Sequence, residues 1–77
     1  MTLTQAIQKR IYELAIKYDL SIYGLANKCG VPRSTISSIP DYHSIGIITV
    51  YNICEGLDIT LKEFFDSPLF DRENLSD

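Results

Sequence analysis

Apolar residues recur at three- and four-residue intervals along most of the chain, with no alternating run bounded by turns, so the pattern predicts an all-α fold. Thr2 and Gln5 have the spacing of a capping box, which places the start of a first helix. Ile7, Ile11, Leu14, Ala15 and Tyr18 then form one apolar stripe, with Gln8, Lys9, Glu13 and Lys17 on the other side. After a short turn at Asp19 and Leu20, Ser21 caps a second helix that runs through Leu25 and Ala26 to Cys29 and stops at Gly30. Gly24 lies inside that helix, at a cost of about 1 kcal/mol relative to Ala. Pro32 fits the opening of a third helix, where its missing amide is harmless, and Pro40 stops it. Asp41 to Gly46 reads as a polar loop. Ile47, Val50, Tyr51, Cys54 and Leu57 mark a fourth helix. Thr60 and Glu63 repeat the capping-box spacing and open a short fifth helix through Leu61, Phe64 and Phe65, closed by Ser67-Pro68.

Seventy-seven residues make a single small domain, which buries only about 60% of the surface its unfolded chain exposes. We expect the domain to span residues 1–66, with an acidic tail over 67–77. The apolar content of 45% fits a folded chain rather than a disordered one. No run approaches the roughly 18 apolar residues of a membrane span. The opening Met-Thr-Leu-Thr-Gln has no basic stretch followed by an apolar one, so a cytoplasmic protein is expected. Cys29 and Cys54 are far apart, form no Cys-x-x-Cys pair and stand beside a single His. They read as small core hydrophobes, and no metal, cofactor or small-molecule ligand is expected.

Net charge is −3, but its distribution changes the picture. Residues 1–40 carry a balance of +3, from Lys9, Arg10, Lys17, Lys28 and Arg33 against Glu13 and Asp19. Residues 41–77 carry −6. A modest positive face on an acidic protein is therefore possible in the first half alone. There is no nucleophile–base–orienter set and no glycine-rich phosphate loop, so catalysis is not expected.

The densest local signal runs from Leu20 to Ile39: two short helices joined by a turn containing Gly30. Ala26 is small where helix backbones must approach, Val31 plugs the gap between the helices, and Ile36 and Ile39 anchor the third helix. Leu20-Ser21, Leu25-Ala26, Gly30-Val31 and Arg33-Ser34-Thr35-Ile36-Ser37 resemble the helix-turn-helix of the Cro and phage-repressor (XRE-like) family. The likeness continues through Ile47, Thr49, Ile53, Leu57, Ile59, Leu61 and Glu63-Phe64-Phe65, so it covers about residues 7–66.

That resemblance implies a compact five-helix, lambda-repressor-like domain whose third helix, Pro32–Ile39, lies in the major groove of double-stranded DNA. Arg33, Ser34, Ser37 and Ser38 would then face base edges. Lys17, Ser21, Tyr23, Thr35, Tyr42, His43 and Ser44 would approach phosphates. The implied function is a transcriptional regulator, repressor-like, that binds a palindromic operator as a homodimer. Phe64, Phe65, Leu69 and Phe70 are the candidate dimer surface, with packing of Leu69 and Phe70 back onto the domain as the alternative for those two. Ile22 stands where the family usually has Gln, and the loop after the third helix offers only His43 as a cation. Those departures keep open a protein-interaction module on the same scaffold, with weak or no DNA binding. A hydroxyl-rich third helix that is simply solvated, and His43 as an ordinary surface residue, also remain open.

Overall fold

The chain starts its first helix where a side chain can close the exposed amides. In the computed structural model, which describes residues 1–39 and 45–76, the Thr2 hydroxyl accepts from the Gln5 amide. The Gln5 side chain in turn accepts from the Thr2 amide at 2.9 Å, so the capping box is complete. Helix α1 spans Leu3–Lys17 and buries Thr4, Ala6, Ile7, Ile11, Leu14 and Ala15. Tyr18, expected on that stripe, is exposed. It is the C-cap, one residue past the helix, where the helical period no longer aims a side chain at the core.

Helix α2 (Ile22–Cys29) is capped by the Ser21 hydroxyl, which accepts from the Gly24 amide at 2.9 Å. It ends at Gly30, whose φ of +68° only glycine adopts without strain. Helix α3 is Arg33–Ser37, shorter than the expected Pro32–Ile39. Pro32 has ψ 136°, an extended backbone, and so precedes the helix as its N-cap instead of being its first turn. Helix α4 (Ile47–Leu57) ends at Asp58 in the left-handed region. Tyr51, expected on its inward stripe, is 45% exposed. The phenol stays at the surface, where the neighbouring Glu55 carboxylate pushes its pKa up. Helix α5 (Leu61–Phe65) begins with the Thr60 hydroxyl accepting from the Glu63 amide. Only this half of the second capping box forms, since the Glu63 carboxylate accepts from the Thr60 hydroxyl (3.5 Å) instead of the Thr60 amide.

Among the described residues the fold is all helical. One core draws on all five helices: Ile7, Ile11, Leu14, Leu25, Ile36, Val50, Ile53 and Phe64 are buried together, with Val31, Ile39 and Ile59 from the connections. Ile22 packs on this core as well. Helices α2 and α4 cross closely where Gly56 leaves room for Cys29: a Cβ at position 56 would lie 2.6 Å from the Cys29 Cα.

Residues 67–76 do not trail into solvent. Pro68–Phe70 and Arg72–Asn74 form two 3-10 turns, and the first packs against α1. Phe70 sits edge-on to Phe65 at 4.9 Å between ring centres. The Met1 ammonium donates to the Asn74 carbonyl at 3.0 Å, and the Ser76 amide to the Met1 carbonyl at 2.8 Å. Phe64 is 0% exposed, so it belongs to the monomer's own core and cannot serve a dimer surface. Phe65, Leu69 and Phe70 are half-buried, with Phe65 and Phe70 in the same ring cluster. The most exposed aliphatic side chains lie elsewhere, Ile16 on α1 and Ile47 and Ile48 on α4. Among the described residues, no helix is long and apolar enough to cross a membrane.

Candidate nucleic-acid interface

Helices α2 and α3 meet at a corner built by the turn through Gly30, Val31 and Pro32. The Val31 amide donates to the Ala26 carbonyl at 3.0 Å, which folds the turn back onto α2, and Val31 is buried beneath it. Ile36 and Ile39 hold α3 down from below. A second anchor comes from α1. The Gln8 side-chain amide donates to the Ile36 carbonyl at 3.0 Å and to the Ser37 carbonyl at 3.2 Å. Those carbonyls at the end of a helix have no intrahelical partner, so Gln8 closes the C-terminus of α3 from outside. The apolar stripe predicts Gln8 on the outer side of the first helix. Its only advance signal was a side-chain amide flanking the apolar stripe.

What this leaves outside is a short polar ridge. Arg33 opens α3 exposed, and its guanidinium makes no hydrogen bond or ion pair among the described residues. Ser34 and Ser37 are exposed, and Thr35 and Ser38 half-buried. The hydroxyls of the last turn are not idle. Ser37 Oγ donates to the Arg33 carbonyl at 2.9 Å, and Ser38 Oγ donates to the Ser34 carbonyl at 2.6 Å. Both serines thus help hold a five-residue helix that is too short to be stable alone.

Across the corner, Tyr23 is 67% exposed and lines a shallow cleft of about 180 Å³ with Ala26, Asn27, Val31, Pro32 and Arg33. Tyr23 and Asn27 are four residues apart and share one face of α2. The structure therefore brings Tyr23, Asn27 and Arg33 to one surface, with Ser34 and Ser37 following on α3. Asn27 was missed in the sequence. Its spacing from Tyr23 was the available signal, but nothing in the sequence places it beside Arg33. Ser21, also exposed, spends a lone pair on the Gly24 amide and keeps its hydroxyl proton.

Two of the expected cations of the basic half lie away from this ridge. Lys17 lines a different cleft, with Arg10, Leu14, Tyr18, Ile59, Glu63 and Asp66, and its ammonium stands 5.5 Å from the centre of the Tyr18 ring. Gln8 and Lys17 are nine residues apart, which at 3.6 residues per turn places them on opposite sides of α1. Arg10 is engaged too. Its Nε donates to the Phe64 carbonyl at 2.7 Å and its Nη2 to the Glu63 carbonyl at 2.8 Å, closing the end of α5. Tyr42, His43 and Ser44 lie outside the described residues.

The two thiols serve packing. Burial pushes both the Cys29 and Cys54 pKa values above the ordinary thiol range, so both are protonated at neutral pH. Cys29 Sγ donates to the Ile53 carbonyl at 3.5 Å. Among the described residues no group of three His, Cys, Asp or Glu side chains could hold a metal ion. Comparison with protein-family models, with curated proteins and with solved structures finds no match for this chain.

Proposed function

We propose that this chain is a sequence-specific DNA-binding regulator of the Cro and phage-repressor type, with a lambda-repressor-like fold and α3 as the helix read into the major groove. The observation that carries the reading is the corner between α2 and α3. There Arg33, exposed and without a side-chain partner among the described residues, stands at the outer start of a helix that is anchored on its inner side by Ile36, Ile39 and Gln8. A guanidinium in that position can donate to O6 and N7 of one guanine, worth about 1–3 kcal/mol of discrimination. Tyr23, Asn27 and Ser21 supply polar groups for the adjacent phosphates. One domain presents one such helix, so a two-fold dimer on a palindromic site completes the reading.

The exposed cations near this corner are Lys28 and Arg33. With Arg33 committed to a base edge, Lys28 neutralises about one phosphate per protomer, and the logarithm of affinity falls against that of salt with a slope of about −1 per protomer. The test is selection of bound duplexes from a random-sequence library at low salt, followed by titration of the selected site. Arg33→Ala relaxes the preference at one guanine and weakens specific binding by about tenfold or more. Folded, monodisperse protein that enriches no sequence refutes the proposal. The protein-interaction reading then takes its place, favoured by the exposed Ile47, Ile48 and Tyr51 on α4.

A further inference from the structure

We infer that Ser37 meets the groove only as a hydrogen-bond acceptor, so the base it faces is one that carries an exocyclic amino group, adenine or cytosine. The inference rests on the DNA-binding reading and adds to it a rule for part of the target sequence.

A serine hydroxyl has one proton and two acceptor lone pairs, and a solvated serine can therefore read donor or acceptor alike. Ser37 is exposed, but its proton is committed to the Arg33 carbonyl at 2.9 Å. The last turn of α3 is held by such bonds throughout. Ser38 Oγ donates to the Ser34 carbonyl, and Gln8 occupies the carbonyls of Ile36 and Ser37. Turning the Ser37 hydroxyl outward to donate would remove one tie from a helix of five residues. Its lone pairs can accept without that loss. Ser21 shows the opposite assignment: it accepts from the Gly24 amide and retains a proton to give.

In the major groove each base pair offers a single donor, the N6 amino group of adenine or the N4 amino group of cytosine. An acceptor-only side chain thus separates A and C from G and T on the strand it faces. Arg33, which can only donate, requires the reverse, and guanine supplies two acceptors. Arg33 and Ser37 lie four residues apart on one face of α3, about 6 Å along its axis. That is roughly two base-pair steps at 3.4 Å each. The target half-site therefore contains a guanine and, about two pairs away, an amino-bearing base.

The test begins with the full chain and its Ser37→Ala variant, each used to select duplexes from a random library. The position facing Ser37 is the one whose preference disappears in the variant, and A or C is expected there with the wild-type protein. In the selected duplex, that adenine is then replaced by purine, or that cytosine by 2-pyrimidinone, each lacking only the amino group. Wild-type affinity falls by roughly twofold to tenfold, the range for one lost hydrogen bond. Ser37→Ala, checked for unchanged helicity by circular dichroism, is indifferent to the same change. Because the second perturbation is in the DNA, it does not depend on how well the variant folds. Selection of G or T at that position overturns the inference and leaves DNA binding standing. So does the absence of any position whose preference the variant loses, or an equal loss in both proteins when the amino group is removed. Failure of the wild-type protein to enrich any sequence overturns the DNA-binding reading itself, and this inference with it.

Discussion

The crossing of α2 over α4 makes a sharp demand on one residue, and Gly56→Ala tests it. In an exposed helix this change is favourable by about 1 kcal/mol. Here the added Cβ would stand 2.5 Å from Cys29 Sγ, 2.6 Å from its Cα and 2.9 Å from its Cβ. Carbon atoms in contact rest about 3.5–4.0 Å apart, so the two helices must separate by about 1 Å. No rotamer of Cys29 relieves the contact, because one of the atoms met is backbone. Overpacking costs about 1–3 kcal/mol, and an immobile neighbour puts this site at or beyond the upper end. After the propensity gain the net loss is about 2 kcal/mol. A 77-residue domain has a total stability of about 4–11 kcal/mol, so the loss is a large fraction.

Urea unfolding followed by circular dichroism measures it directly, and the thermal midpoint should fall by about 8–16 °C. Gly46→Ala is the control, since among the described residues a Cβ there meets only the Thr49 hydroxyl, at 4.0 Å. Its midpoint should stay near wild type. Cys29→Ala in the Gly56→Ala background removes the sulfur clash but not the backbone one, so rescue is partial. A Gly56→Ala protein as stable as wild type would refute the close crossing and the core arrangement built on it.

Three further outcomes follow from the packing. Arg10→Ala should cost about 2 kcal/mol in urea unfolding, because two charge-assisted bonds to the carbonyls of Glu63 and Phe64 are lost, and Arg10→Lys should not restore both. Phe70→Ala should lower stability by about 2 kcal/mol, through its ring contacts with Phe64 and Phe65, whereas a merely solvated tail predicts no change. The thiols set an alkaline limit. Their folded pKa values are raised by burial, so the stability they contribute is complete below the unfolded thiol value of about 8.5 and is lost as pH rises towards the folded values. The urea midpoint should fall as pH rises above the unfolded thiol value of about 8.5, and a Cys29→Ala, Cys54→Ala protein, though less stable at neutral pH, should show a flatter profile.

Particular elements show how far the sequence could be read. The stripe from Ile7 to Ala15, the caps at Thr2, Ser21 and Thr60, and the left-handed stop at Gly30 are local, and local spacing was enough to place the helices that they define. The ends were harder. Tyr18 falls one residue past α1, where the helical period no longer runs, and Tyr51 keeps that period yet stands exposed, because burial depends on what lies opposite. Pro32 was placed inside α3 by its general preference, but the backbone bends one residue later. Ser34, Ser37 and Arg33 were legible as an outward set. Their hydrogen bonds were not, and neither was the arrival of Asn27 beside Arg33.

The order and character of the helices, the asymmetry of charge and the residue types on α3 were written in the chain, since each follows from neighbours within about one helical turn. Only the folded arrangement decided that Arg10 and Gln8 leave the surface to close the ends of α5 and α3, and that Gly56 must stay small against Cys29. It also turned residues 67–76 from a tail into a cover over Phe64. These contacts join residues as far apart in the chain as Met1 and Ser76, and no periodicity encodes them. They arise because a small core must be closed on every side, and whichever distant group reaches the gap settles its role.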